Sequence, residues 1–156
     1  MNVPITVIST GFTFPGPSYG QYKSTGPDGD FVSWCAERLQ HFRFGQPVEY
    51  TLLGGVEAWG SAISTNLDHL FSAFPTITNS VESMRVQEQA WSILAGTTPS
   101  AEILATPVTH HAQLLHNTNY QDLIVIRPLS VDEPTPALLL ILGLSLIAAW
   151  RMLKWK

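Results

Sequence analysis

Cys35 is the only cysteine in the 156-residue chain, set in the run Phe31-Val32-Ser33-Trp34-Cys35-Ala36-Glu37. Its sulfur can act as a nucleophile once ionised, as half of a bridge to another chain, or as a small buried apolar group. Gln87 and Trp91 lie four apart in Ser83-Met84-Arg85-Val86-Gln87-Glu88-Gln89-Ala90-Trp91, so a helix there turns both to one face, toward the core. Other chemistry-bearing residues are less well placed. His110, His111 and His116 are close in sequence, but no cysteine or carboxylate pattern joins them to make a zinc set, and they read as solvated loop histidines. Asp68 and His69 are adjacent, which on a helix points them in different directions, and no serine elbow accompanies them; the pair reads as surface. Phosphate loops and dinucleotide fingerprints are absent from the sequence.

Turn residues and periodicity indicate the elements that would position these groups. Eleven glycines and eleven prolines point to short elements joined by turns. Residues 3–9, Val-Pro-Ile-Thr-Val-Ile-Ser, read as an edge strand because of Pro4. Residues 11–30 read as aromatic-studded loops with at most a short hairpin, and the aromatics of 11–20 are candidates for sugar contact. A strand is expected over 46–53. Trp59, Ile63, Leu67, Leu70, Phe71 and Phe74 recur at spacings of three and four, which predicts a core-facing helix over 58–74 that Pro75 ends. A second helix is predicted over 81–94, capped by Asn79 or Ser80 and stopped by Gly96. Residues 110–116 suggest a short helix, and Asp122-Leu123-Ile124-Val125-Ile126-Arg127 is the most strand-like run, closed by Pro128. The expected fold class is a β-rich α+β single domain with about two packed helices, followed by one C-terminal transmembrane helix.

Only 13% of residues are charged and the formal net charge is -4, which gives no basic surface for phosphate backbones and argues against nucleic acid as a partner. Residues 1–129 form the expected domain, 130–136 a proline-stiffened linker, and 137–156 an apolar run with a short basic end. The run from Ala137 to Trp150 carries no charge, and with snorkelling Arg151 it reaches the lower limit of the roughly 17 to 25 residues a helix needs to span a bilayer. Asp132 and Glu133 before it and Arg151, Lys154 and Lys156 after it orient a single-pass chain with its N-terminus outside. No leader segment with a basic start and apolar run is visible ahead of the first strand. The segment Glu133-Pro134-Thr135, the apolar run and the basic end resemble the PEP-CTERM sorting signal of bacterial exported proteins, with Asp132 in place of that family's first proline. This resemblance implies processing near Glu133-Pro134 by an exosortase-type enzyme and delivery from the membrane to the cell surface or extracellular matrix.

Residues 12–129 also resemble the thioester domains of bacterial surface proteins. The resemblance rests on three runs in order: Phe31 to Glu37 around Cys35, Leu67-Asp68-His69-Leu70-Phe71, and Gln87 with Trp91 in the later helix. It implies that Cys35 supplies the thiol and Gln87 the acyl group of an internal thioester, with Trp34 and Trp91 excluding water. Gln89 and Ser92 depart from the family pattern, and an offset helix would make Gln89 the donor. In chemical terms, a thiol held against a carboxamide can displace ammonia and leave an acylating bond. An amine or hydroxyl on a surface ligand would then attack the Gln87 carbonyl. The expected function is adhesin-like covalent capture in a single turnover, not enzymatic catalysis, without metal or cofactor. Two alternatives stand beside it: a passive structural protein of the extracellular matrix that lacks the thioester, and a tail-anchored membrane protein.

Overall fold

A computed structural model describes residues 2–11, 20–38 and 43–129. Six strands and four helices follow in the order β1 (Asn2–Thr10), β2 (Gln21–Gly26), β3 (Gly29–Cys35), β4 (Pro47–Gly54), α1 (Gly55–Trp59), α2 (Ser61–Ala73), α3 (Ser80–Leu94), α4 (Ala101–Leu104), β5 (His110–His116) and β6 (Leu123–Pro128). The strands are antiparallel and close into a barrel in the order β1-β2-β3-β6-β5-β4. The expected α+β arrangement is therefore corrected to a closed six-stranded barrel with a helical layer on one side.

Closure turns on β1, which is an edge strand in neither direction. Its first half pairs with β4, Asn2 to Thr6 against Thr51 to Pro47, and its second half with β2, Thr6 to Thr10 against Thr25 to Tyr22. Pro4 lies in the half that pairs only with β4, where its missing N–H costs no ladder bond on the other flank. Residues 21–35 form the β2–β3 hairpin, tighter and longer than the loops expected there. Gly26 faces Gly29 across a two-residue turn, and Gly29 supplies a φ of 104° that other residues avoid.

The short helix expected over 110–116 is instead β5, bonded to β4 on one side and β6 on the other. His-His-Ala-Gln-Leu-Leu-His supports either period over so few residues, and two flanking strands decide it. The two longer helices fall close to expectation, with α1 and α2 meeting at Gly60 where one helix was expected. In α3 the Asn79 side chain accepts from the Glu82 N–H at 2.9 Å, the capping bond that the sequence suggests.

Strand alternation sorts the core into two compartments. Inside the barrel lie Ile5, Val7, Tyr22, Cys35, Val48, Tyr50, Leu115, Leu123 and Val125. Outside it, Trp34, Ala112 and Ile124 pack against Leu67, Leu70 and Phe71 of α2 and Val86, Ala90 and Ile93 of α3. Neighbouring Trp34 and Cys35 thus belong to opposite faces of one strand.

The membrane helix expected over 137–156 and the linker over 130–136 lie outside the described residues. Among those described, no helix is long and apolar enough to cross a membrane.

Candidate functional site

Cys35 ends β3 at the point where its neighbour strand stops. The last β2–β3 pair is Gln21 with Trp34, while on the other flank the ladder continues, with Ala36 N–H donating to the Asp122 carbonyl at 2.9 Å. The Cys35 main chain therefore has one flank without a strand. The side chain of Gln87, reaching in from α3, occupies it: Cys35 N–H donates to Gln87 Oε1 at 2.9 Å, and Gln87 Nε2 donates to the Cys35 carbonyl at 2.8 Å. The carboxamide takes the place of a missing strand residue. Gln87 is fully buried and Cys35 is 3% exposed, so each bond replaces one that water cannot supply.

This placement has a chemical consequence. In an antiparallel ladder, residues that exchange both bonds face each other across about 5.5 Å between Cα atoms. The Gln87 carboxamide stands beside the Cys35 main chain in place of such a partner. The N–H on Oε1 also polarises the carbonyl and is aimed where negative charge would gather if that carbon were attacked.

The Cys35 side chain belongs to the barrel interior, in the same buried cluster as Tyr22. Burial pushes the thiol up from 9.0 to about 12, and the Tyr22 contact opposes this by a smaller amount. Unfolded, the thiol would ionise near 9, so between there and about 12 the unfolded chain holds fewer protons than the folded one. Stability therefore falls with rising pH in that window. The neutral thiol's contribution is expected to be complete below about pH 9 and lost by about pH 12, at most on the order of 4 kcal/mol. Denaturant unfolding of the unmodified chain across this range, beside Cys35→Ala, checks it; the variant should lack this part of the slope. Tyr50, raised to about 12 chiefly by burial, leaves some alkaline sensitivity in both.

The supporting tryptophans divide between the compartments. Trp34 packs in the helical layer, its ring 5.6 Å from that of Phe71. Trp91, one turn beyond Gln87, packs against the cluster that holds Cys35, and the Arg38 guanidinium lies 4.9 Å over its ring. Trp34, on the opposite face of β3, turns away from the compartment that holds the Cys35 side chain. Gln89, the alternative donor, faces elsewhere and lines a small cavity with Leu70, Ile93 and Ile103. The sorting residues Glu133, Pro134 and Thr135 lie outside the described residues.

Asp68 is not a surface residue. It is buried, and its carboxylate accepts from the Ala112 N–H at 2.8 Å and pairs with His111 Nδ1 at 2.7 Å. His69 instead meets the Thr106 carbonyl at 2.9 Å. The three histidines expected in a loop sit on β5; His116 pairs with Asp122 at 2.8 Å, and His110 contacts Thr109 Oγ1. Among the described residues, no three potential metal ligands converge.

A cavity of about 520 Å³ opens at the barrel mouth and is lined by Val3, Ile5, Phe31, Leu52 and Val125. Phe31 is two inward-facing positions from Cys35 along β3, so this cavity is separate from the Cys35–Gln87 joint. The Cys35 main chain, held by the Gln87 carboxamide, is the part of the site that the sequence did not reveal. Comparison of the chain with known families, curated proteins and solved structures finds no match.

Proposed function

We propose that the barrel is a single-turnover acylating module in which Cys35 and Gln87 form an internal thioester that captures an amine or hydroxyl on a partner. The observation that carries this reading is the two-point clamp of the Gln87 carboxamide by the main chain of the one cysteine. The reaction requires the Cys35 side chain to rotate so that its sulfur meets the carbonyl carbon. The C–S bond forms, the C–N bond breaks, and the thiol proton leaves with the nitrogen as ammonia. Fixed geometry of this kind replaces the thiolate concentration that burial denies, since well-oriented groups react as if present at about 10⁵ M or more. The Cys35 N–H remains on the acyl oxygen throughout. Delivery to a bacterial surface, with an exosortase-type enzyme acting near Glu133-Pro134-Thr135, belongs to the same reading and rests on the sequence alone.

The intact mass of the full chain tests it. A loss of about 17 Da in the parent, absent from Cys35→Ala, is expected from expulsion of ammonia. A passive structural protein is the second reading, favoured by the completeness of the Gln87 bonds without any covalent step. An unmodified mass, with Cys35 alkylated only after unfolding, would establish that reading in place of the first.

A further inference from the structure

We propose that the cavity at the barrel mouth binds a medium-chain aliphatic carboxylate, with the chain inside the barrel and the head group on Arg127. The site is separate from the Cys35–Gln87 joint, so the proposal stands apart from the acylating reading. The hollow follows from the way two strands part. β3 and β6 pair from Cys35 with Leu123 to Ser33 with Val125, and the pairing ends there, although β3 reaches back to Gly29 and β6 runs on to Pro128. Phe31 and Arg127, which the same register would set opposite each other, lie beyond the last pair and both line the cavity. The neighbouring hairpin end carries Gly26 and Gly29, which have no side chains to fill the opening. At about 520 Å³ the hollow falls in the range that small-molecule sites occupy.

The lining fixes the chemistry of the ligand. Ile5, Phe31, Leu52, Leu115 and Val125 offer an apolar wall to a hydrocarbon chain. Arg127 is the only cation among the described residues that line the cavity, and strand alternation sets it on the same face as Leu123 and Val125 of the interior cluster. Its ion pair with Asp28 spans 3.8 Å, too long for a hydrogen bond, and the Asp28 side chain is 86% exposed. Asp30 alternates with the inward Phe31 and so faces outward. The mouth therefore presents a loosely paired guanidinium above an apolar hollow. A carboxylate can take two parallel N–H bonds from that fork while its chain removes apolar surface from water. A cationic head would be repelled, and a neutral one would forgo the charge-assisted bonds. Asp28 competes with the ligand for Arg127 and yields to it readily, being already solvated.

The test uses the full chain and a decanoate carrying a photoreactive diazirine on its chain, with the labelled positions located by peptide mass. Saturable labelling within residues 26–31, 52 or 125–128 is expected, and unlabelled decanoate should compete about 10-fold better than octanoate, as two further methylenes are buried. Arg127→Gln is expected to weaken competition by decanoate about 3- to 10-fold, the effect of a half-exposed charge pair, and to leave 1-decanol unchanged. Asp28→Asn, which removes the competing carboxylate, should strengthen decanoate about 2- to 5-fold and again leave 1-decanol unchanged. Both residues are exposed enough for these variants to fold. Labelling that does not saturate, or that falls only within 137–156, would overturn the site. Equal effects of Arg127→Gln on decanoate and 1-decanol would overturn the carboxylate assignment. Competition by a short-chain phosphatidylcholine but not by decanoate would assign the hollow to a membrane lipid and overturn the proposal.

Discussion

Replacing Gln87 with alanine is expected to destabilise the fold by about 3–5 kcal/mol, more than the replacement of Cys35 by alanine, which should cost about 1–2 kcal/mol. The asymmetry follows from where the bonds lie. Alanine at 35 keeps the main-chain N–H and carbonyl that Gln87 holds, and it removes only a sulfur from the barrel interior. Alanine at 87 leaves both Cys35 groups buried and unpaired, each at about 1–3 kcal/mol, and opens a space the size of the lost side chain between α3 and the end of β3. Urea unfolding of the two variants beside the parent measures the difference. A cost for Gln87→Ala no greater than that for Cys35→Ala would show that water or a rearranged loop satisfies the β3 end, and that the carboxamide is not the missing rung of the ladder. The result would also bear on chemistry, because a carboxamide that is easily given up is not held in near-attack geometry.

The parts of this fold that were legible in the sequence are those governed by local chemistry. The apolar stripe through Leu67, Leu70 and Phe71 and the Asn79 cap produce α2 and α3 near their expected places, since both signals are complete within one helix. The order of Cys35 and Gln87 along the chain was visible too, but not how they meet. Their contact depends on β2 beginning at Gln21, one residue short of a partner for Cys35; Gly20, at a φ of 132°, marks that boundary, but nothing local ties it to Cys35 across the hairpin. Closure of the barrel was equally hidden. It requires that β1 divide its length between two partners, and Pro4 reads as an edge signal unless that division is known. His110 to His116 fitted a helix as well as a strand because seven residues with three histidines have no decisive period; its neighbours β4 and β6 settle the matter from elsewhere in the chain.

The second break in the ladder makes the same physical point and leads to an equally large effect. β4 pairs with β5 as far as Gly54 and Gln113, and there the chain turns into α1. Gly55 permits the turn at close quarters, since a Cβ at that position would lie 2.6 Å from the Ala112 carbonyl oxygen. The Ala112 N–H is left beyond the last strand pair, and Asp68 of α2 reaches across to accept from it. Asp68→Ala is therefore expected to cost about 2–4 kcal/mol in urea unfolding, through the orphaned N–H and the lost carboxylate bond. Most of that belongs to Ala112, because the His111 side chain is 53% exposed, and an exposed ion pair contributes about 1 kcal/mol or less. Asp68→Asn keeps an acceptor for Ala112 and should cost under about 1 kcal/mol, as should His111→Ala. Equal losses in Asp68→Asn and Asp68→Ala would instead assign the stabilisation to the charge, and with it to His111. If the expected order holds, two helices are fastened to the barrel by the same device, a side chain completing a strand's unfinished hydrogen bonds. The helical layer then completes strand hydrogen bonds at these two breaks, and at one of them the completing group is a carboxamide set beside the only thiol.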